Sequence, residues 1–331
     1  MNPEGFLRDV LVAPARLEAL LDAYEGPRSP LAELAGEGGF RRVVFMGMGS
    51  SRFAAVSIAA LLRSRGVDAV AELASTGSPT RPSADTLAVG ISASGGTAET
   101  VEALSAHRGA SRCVAVTNDP TSELVSAADL VLPLLVGREE GGASCLTFQA
   151  TVAVLLLLTG RLLGDAPRAP DLRPAVEAAV WLREERNAWL DKAVELVDGA
   201  RTTATIAPAE RYSSALQSAL MFREGPRVVA DAAETGDWLH VDVYLSKRPG
   251  YCALLFAGSR FDGGVIEWAS KRAFPVVSVG ASVPGATIDI SYPGADDPLV
   301  PLLVETGAAE LVAAELWRCQ IEAGDPALDD L

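Results

Sequence analysis

The stretch that most constrains this chain runs from Val43 to Thr100. Two short apolar runs, Val43–Met46 and Leu87–Ile91, each break into glycine and serine, and each continues into a helix-like pattern. The first reads VVFMGMGSSRFAA and the second LAVGISASGGTAET. Strand, small-residue loop and helix are thus written twice in succession. Near-continuous apolar strands belong to a parallel sheet covered on both faces, and the helices supply the crossovers that parallel strands require. Loops of this kind turn backbone N–H groups and hydroxyls toward a helix N-terminus, where an anion is well held. The stretch therefore predicts a doubly wound sheet with a phosphate grip outside the carboxyl ends of its strands.

The alternation continues on both sides. Ala69–Leu73, Cys113–Thr117 and Leu130–Leu132 read as further strands, with helices over Phe53–Arg65, Ala98–Ala106 and Leu124–Ala127. A long apolar helix, Phe148–Leu163, closes the first half, and the proline-rich GDAPRAPDLRP reads as a linker. After a helix over Ala175–Asp198 the order repeats: Thr202–Ile206, helix Ser213–Arg223, Val228–Ala230, Tyr251–Phe256, helix Gly263–Lys271, Val276–Val279, Ile288–Ile290 and a last helix, Leu302–Glu322. Residues 3–37 read as helical, with Leu7, Val10, Leu11, Leu17, Leu20 and Leu21 on one face and Pro27 as a stop. The expected fold is α/β, with two tandem, pseudo-symmetric, flavodoxin-like doubly wound units. The expected divisions are a helical segment 1–40, a first unit 41–165, a linker 166–175 and a second unit 176–331. The second half lacks the grip, because IAPAERY stands where the first half has GMGSS, and FAGSRFDG where it has SASGGT.

Charge narrows the partners. With 28 Lys+Arg against 43 Asp+Glu the net charge is −15, which argues against a nucleic-acid partner that needs a basic face. An anionic substrate must then be held by local dipoles and hydroxyls, not by the global field. The four cysteines (Cys113, Cys145, Cys252 and Cys319) are far apart and form no CxxC pair, so neither a disulfide framework nor a metal site is expected, and no cofactor is. The acidic N-terminus, MNPEGFLRDVL, has no apolar core for a signal peptide. The most apolar run, Val152–Leu158, is too short to cross a bilayer. A cytoplasmic protein with no membrane partner is expected.

Two such units in tandem, with GSS after one strand and SxSGxT after another, a TND turn at Thr117–Asp119 and E-x-G-x-A-S over Glu139–Ser144, resemble the sugar isomerase (SIS) family. The likeness is to the isomerase part of glucosamine-6-phosphate synthase and its stand-alone relatives, and it covers Glu4 to about Cys319. It implies a phosphate site at Ser51, Ser92, Ser94 and Thr97, and sugar contacts at Gly49, Ser50, Glu139 and Ser144. It also implies that Glu224 shuttles a proton, and that His240 opens the sugar ring in the neighbouring subunit's site, hence a homodimer. The sequence departs from the family in several places. Leu146 replaces a lysine after the AS motif, Gln217 and Met221 replace a glutamate and a lysine on the catalytic helix, and no lysine follows Lys271. These departures speak against transfer of nitrogen to or from the sugar.

Each residue also has a plainer reading. Serine and threonine routinely cap helices, but two such loops in one half and none in the other favour phosphate binding. Glu224 precedes Gly225-Pro226, a helix terminator, where the adverse dipole raises a carboxylate's pKa and makes it a better base. Arg223 and Glu140 read as solvated charges. His107 reads as a surface or capping residue, His240 as either a core histidine or an acid–base group, and Trp181, Trp189 and Trp317 as core. A phosphate grip with a carboxylate base suits sugar 6-phosphates. The expected chemistry is proton abstraction at C2 followed by elimination from an N-acylated substrate such as N-acetylglucosamine 6-phosphate. The alternatives are an aldose–ketose isomerase or a deaminase of glucosamine 6-phosphate or fructose 6-phosphate, and a non-catalytic sugar-phosphate sensor.

Overall fold

In the computed structural model, which describes residues 1–34 and 39–324, the alternation of apolar strand and covering helix produces two parallel five-stranded sheets. Contacts divide the chain into two units, each with one sheet. The first-sheet unit holds Ala15–Arg138 and Leu146–Arg173; the second-sheet unit holds Met1–Pro14, Glu139–Cys145 and Pro174–Leu331. The opening helix α1 (Pro3–Tyr24) therefore crosses the division. Its buried face is Phe6, Val10, Ala13, Leu17, Leu20 and Leu21, spaced for one side of a helix. Leu7 and Leu11 stand off that face, and Leu11 is 37% exposed, which corrects the expected stripe. The helix stops at Tyr24, and the rest of the expected 3–37 helix does not form within the described residues.

The first-sheet unit continues as β1 (Arg42–Gly47), α2 (Gly49–Ser64), β2 (Asp68–Leu73), β3 (Thr86–Ile91), α3 (Ala98–Ser105), β4 (Arg112–Thr117), α4 (Glu123–Ser126), β5 (Leu130–Pro133) and α5 (Leu146–Leu163). Its strand order is β2-β1-β3-β4-β5, with Val43 beside Leu87 and Val44 beside Ala88. The chain leaves β1 for one side and returns to β3 on the other, and ligands bind at such a switch point. By length and composition α5 could cross a membrane. Here it is a core helix, buried without a break from Leu146 to Gly160. A side chain at Gly160 would come within 1.9 Å of the Pro167 carbonyl oxygen, so only glycine fits there.

The second-sheet unit comprises α6 (Ala169–Glu184), which starts within the first unit, then α7 (Leu190–Asp198), β6 (Thr202–Ala207), α8 (Tyr212–Glu224), β7 (Ala230–Glu234), α9 (Thr235–Trp238), β8 (Tyr251–Phe256), α10 (Asp262–Arg272), β9 (Val276–Gly280), β10 (Ile288–Ser291), α11 (Val300–Val304) and α12 (Thr306–Glu322). Its order, β10-β9-β8-β6-β7, is that of the first sheet with β6 in the place of β1. The expected pair of similar α/β units is the observed fold. One face of the second sheet packs Ile206, Leu255, Trp238 and Phe274, and the Trp238 indole N–H donates to the Tyr251 hydroxyl at 2.8 Å. Trp317 is fully buried and Trp189 nearly so, but Trp181 is 48% exposed and is not a core residue. The proline-rich segment becomes helix from Ala169, and a 3-10 turn at Glu185–Ala188 breaks the expected 175–198 helix into α6 and α7. The end of the expected AGDPALDDL tail, residues 325–331, lies outside the described residues.

Candidate functional site

The two small-residue loops of the first-sheet unit follow β1 and β3, outside the carboxyl ends of neighbouring strands. Gly49, at φ +50°, opens α2, and Ser50 and Ser51 follow in its first turn, both half-buried. In the second loop Ser92 is buried, its Oγ 3.0 Å from Thr97 Oγ1 and accepting from the Gly95 N–H at 3.1 Å. Ser94 is exposed. Neither Met48 nor Thr97, the residues that precede α2 and α3, makes a side-chain capping bond. The Thr97 hydroxyl is therefore not used as a cap, which was its plainer reading, and it faces Ser92 across the loop.

What shapes the second loop is crowding at Gly95. At φ +65° it takes the left-handed backbone that glycine adopts freely, and a Cβ there would lie 1.8 Å from Ser122 Oγ. The TND turn backs the same loop. The Asn118 N–H donates to the Ala93 carbonyl at 3.0 Å, and the Thr117 hydroxyl donates to the same carbonyl at 3.3 Å.

The second sheet shows why its own switch point reads so differently. Ser51 is four residues past Gly47, the end of β1, and Arg211 is four past Ala207, the end of β6. The Arg211 guanidinium is buried, donates to the Glu305 carboxylate and to the Ala257 carbonyl just past β8, and so fills the equivalent place with the chain's own ion pair. Burial pushes the Glu305 carboxyl up to about 7, against the opposing pull of Arg211. Asp262, at the position that corresponds to Thr97, accepts from the Gly258 N–H at 2.7 Å. The lack of a matching Gly-Ser loop in the second half was legible in the sequence. The ion pair in its place was not, because Glu305 is 94 residues away along the chain.

The remaining candidates lie in the second-sheet unit. Glu224 is the last residue of α8 and half-buried. Its carboxylate takes no hydrogen bond from the described residues, and burial raises its pKa while Arg223 and Arg227 hold it back. Ser144, in the Glu139–Cys145 segment with Glu139, is held by α8: the Gln217 Nε2–H donates to the Ser144 carbonyl at 2.8 Å. That contact escaped the sequence reading, which noted Gln217 only as a departure. Glu140 pairs with Arg8 at 2.9 Å on the surface, as a solvated charge should.

His107 departs from its expected setting, and His240 takes one of the two that the sequence left open. His107 is buried, its Nδ1 3.0 Å from Ser111 Oγ, and burial lowers its pKa; it is neither a surface nor a capping residue. His240 is exposed, beyond the carboxyl end of β7, so it is not a core histidine. Glu224 stands before β7 and His240 after it, beyond opposite ends of one strand. Five extended residues span roughly 16 Å, so this unit does not bring the two together.

Fold and site define a tandem α/β protein with a loop of hydroxyls and backbone amides at the switch point of one sheet. In comparison with known proteins, residues 40–161 match the SIS domain. A curated relative, glutamine–fructose-6-phosphate aminotransferase (isomerizing) from Aeropyrum pernix, is 29% identical over 297 residues, which is 82% of this chain and 46% of the relative. The chain spans about half or less of the length of such relatives. Among solved structures, the C-terminal domain of glucosamine-fructose-6-phosphate aminotransferase from Francisella tularensis superposes with a TM-score of 0.80 at 16% identity, covering 95% of this chain and 96% of that one. Glucosamine-6-phosphate deaminase from Thermotoga maritima gives 0.72 at 19% identity, over 96% and 95%. These structural likenesses are likenesses of fold.

Proposed function

We propose that this protein is an amino-sugar 6-phosphate enzyme that eliminates water from an N-acylated substrate, N-acetylglucosamine 6-phosphate being the first candidate. The hydroxyls of Ser51, Ser92, Ser94 and Thr97, with the amides of their loops, hold the phosphate. Gly49, Ser50, Glu139 and Ser144 contact the sugar. Glu224 takes the C2 proton of the open-chain aldehyde, the C2–H electron pair forms the C2=C3 double bond, and the C3–O bond breaks. His240 gives the departing oxygen its proton, so hydroxide leaves as water. The separation of Glu224 and His240 along β7 supports a homodimer in which each histidine serves its neighbour's site.

The observation that carries this reading is Glu224 itself, a half-buried carboxylate with no hydrogen-bond partner among the described residues and a raised pKa, which are the properties of a general base. Elimination is favoured over nitrogen chemistry by the lysines. The chain has three, Lys192, Lys247 and Lys271, and all are surface residues. Lys192 and Lys271 are paired with Glu195 and Glu267, and Lys247 lies over the Tyr244 ring. None is the desolvated amine that imine chemistry uses.

The test is proton NMR in D2O with N-acetylglucosamine 6-phosphate, glucosamine 6-phosphate and fructose 6-phosphate, each mixed with the protein separately. Loss of the C2 proton with new vinylic signals supports elimination. An aldose–ketose mixture or released ammonia would replace it with the isomerase or deaminase reading. Binding without exchange would make the protein a sugar-phosphate sensor.

A further inference from the structure

Gln217 is fully buried on α8, and its two amide atoms are in different circumstances. Nε2 donates to the Ser144 carbonyl at 2.8 Å, a contact that only the nitrogen can make and that therefore settles which way the amide points. Oε1 is buried and has no hydrogen-bond partner among the described residues. An acceptor left in this state is costly, and a chain can avoid that cost by placing an apolar residue there. Met221, one turn on along the same helix, shows that α8 does so at a neighbouring position, since it is completely buried.

Gln217, Met221 and Glu224 recur at helical spacing along one side of α8. Gln217 and Glu224 are separated by two turns, about 10 Å along the axis. Gln217 thus stands on the same side of α8 as the proposed base, is fixed in place through Ser144, and has an Oε1 that no described residue donates to. A neutral amide oxygen suits a neutral donor.

We infer that Gln217 is a specificity-determining residue whose Oε1 accepts the N–H of an acylated nitrogen at C2 of the sugar phosphate. This rests on the function proposed above and identifies which form of the nitrogen the site selects. Glu224 acts on the proton at C2, so the nitrogen borne by that carbon is the substrate donor nearest to the base. An acetamido N–H supplies one donor with no charge, which matches one unpaired neutral acceptor.

The experiment compares two near-isosteric ligands, N-acetylglucosamine 6-phosphate and 2-O-acetylglucose 6-phosphate, which differ in having N–H or oxygen at the contact. Calorimetry in a Glu224→Gln background reads binding without turnover. With Gln217 intact, the amide should bind about tenfold or more tightly than the ester, the discrimination expected when a buried acceptor loses its only donor. In Gln217→Met the two should bind alike, while the affinity for inorganic phosphate stays unchanged. Gln217→Asn withdraws the acceptor by one methylene and should give the same result if the methionine variant does not fold. An amide-to-ester ratio that is equal in Gln217 and variant proteins, with phosphate binding intact, overturns the inference and leaves the proposed function standing. If neither ligand binds the Gln217 protein, both fall.

Discussion

Gly95→Ala should damage the phosphate loop in a way that a second substitution repairs. Alanine at φ +65° costs about 1–2 kcal/mol for the left-handed backbone. Its Cβ would also meet Ser122 Oγ at 1.8 Å and Ser122 Cβ at 2.3 Å, and overpacking of this kind costs about 1–3 kcal/mol. The reduced freedom of the unfolded chain returns about 0.4–1 kcal/mol. The net expectation is a loss of roughly 1.5–4 kcal/mol and weaker binding of inorganic phosphate. Ser122→Gly alone removes the hydroxyl that donates to the Asp119 carbonyl at 2.7 Å, which is worth about 0.5–1.5 kcal/mol. In the double variant the overlap with Ser122 disappears, so the two effects should fail to add by about 1–3 kcal/mol, and phosphate affinity should return. All five tryptophans, at 181, 189, 238, 268 and 317, belong to the second-sheet unit. Urea unfolding should therefore be followed by circular dichroism, with the midpoint shift read at constant slope. Additivity within about 0.5 kcal/mol would refute the reasoning, because it would mean that the loop relieves the crowding by moving and does not depend on Ser122.

Further outcomes follow from the same structure. Glu224→Gln should abolish turnover while leaving substrate binding in place; undiminished turnover removes Glu224 from the mechanism. Arg223 holds the Glu224 pKa down, so Arg223→Gln should move the acid limb of the kcat/KM profile to higher pH, and a shift to lower pH would contradict that sign. Mixing inactive Glu224→Gln and His240→Ala proteins should restore about a quarter of the activity, since half the dimers are mixed and each has one intact site; no recovery would place both residues in one chain's site. Burial raises Glu305 and Glu310 to about 7 in the folded protein, above the ordinary 4.5. Their stabilising contribution is thus complete below about pH 4.5 and lost as pH rises through about 7. Glu305→Gln should flatten the fall in melting temperature across that window, and an unchanged slope would assign the dependence elsewhere.

The sequence by itself determined most of the strands, their parallel pairing and the location of the two Gly-Ser loops, but the strand expected at Val228–Ala230 forms at Ala230–Glu234, where two acidic residues interrupt the apolar run. The strands are near-continuous apolar runs, and their Gly-Ser breaks fall immediately after them. Both are local signals, written in consecutive residues. It also located the departures at Leu146, Gln217 and Met221. What only the tertiary structure decided is how these residues are surrounded. His107 is buried and His240 exposed, and Trp181 is exposed beside the buried Leu182. In each case exposure depends on what the fold does or does not bring over the residue. The same holds for the Arg211–Glu305 pair in the second switch point and for the Gln217 bond that ties α8 to Ser144, joining residues 94 and 73 positions apart. Periodicity reports which face of an element is apolar. Which group lies across from a given polar atom depends on where the fold returns the distant chain, and no local pattern carries that information.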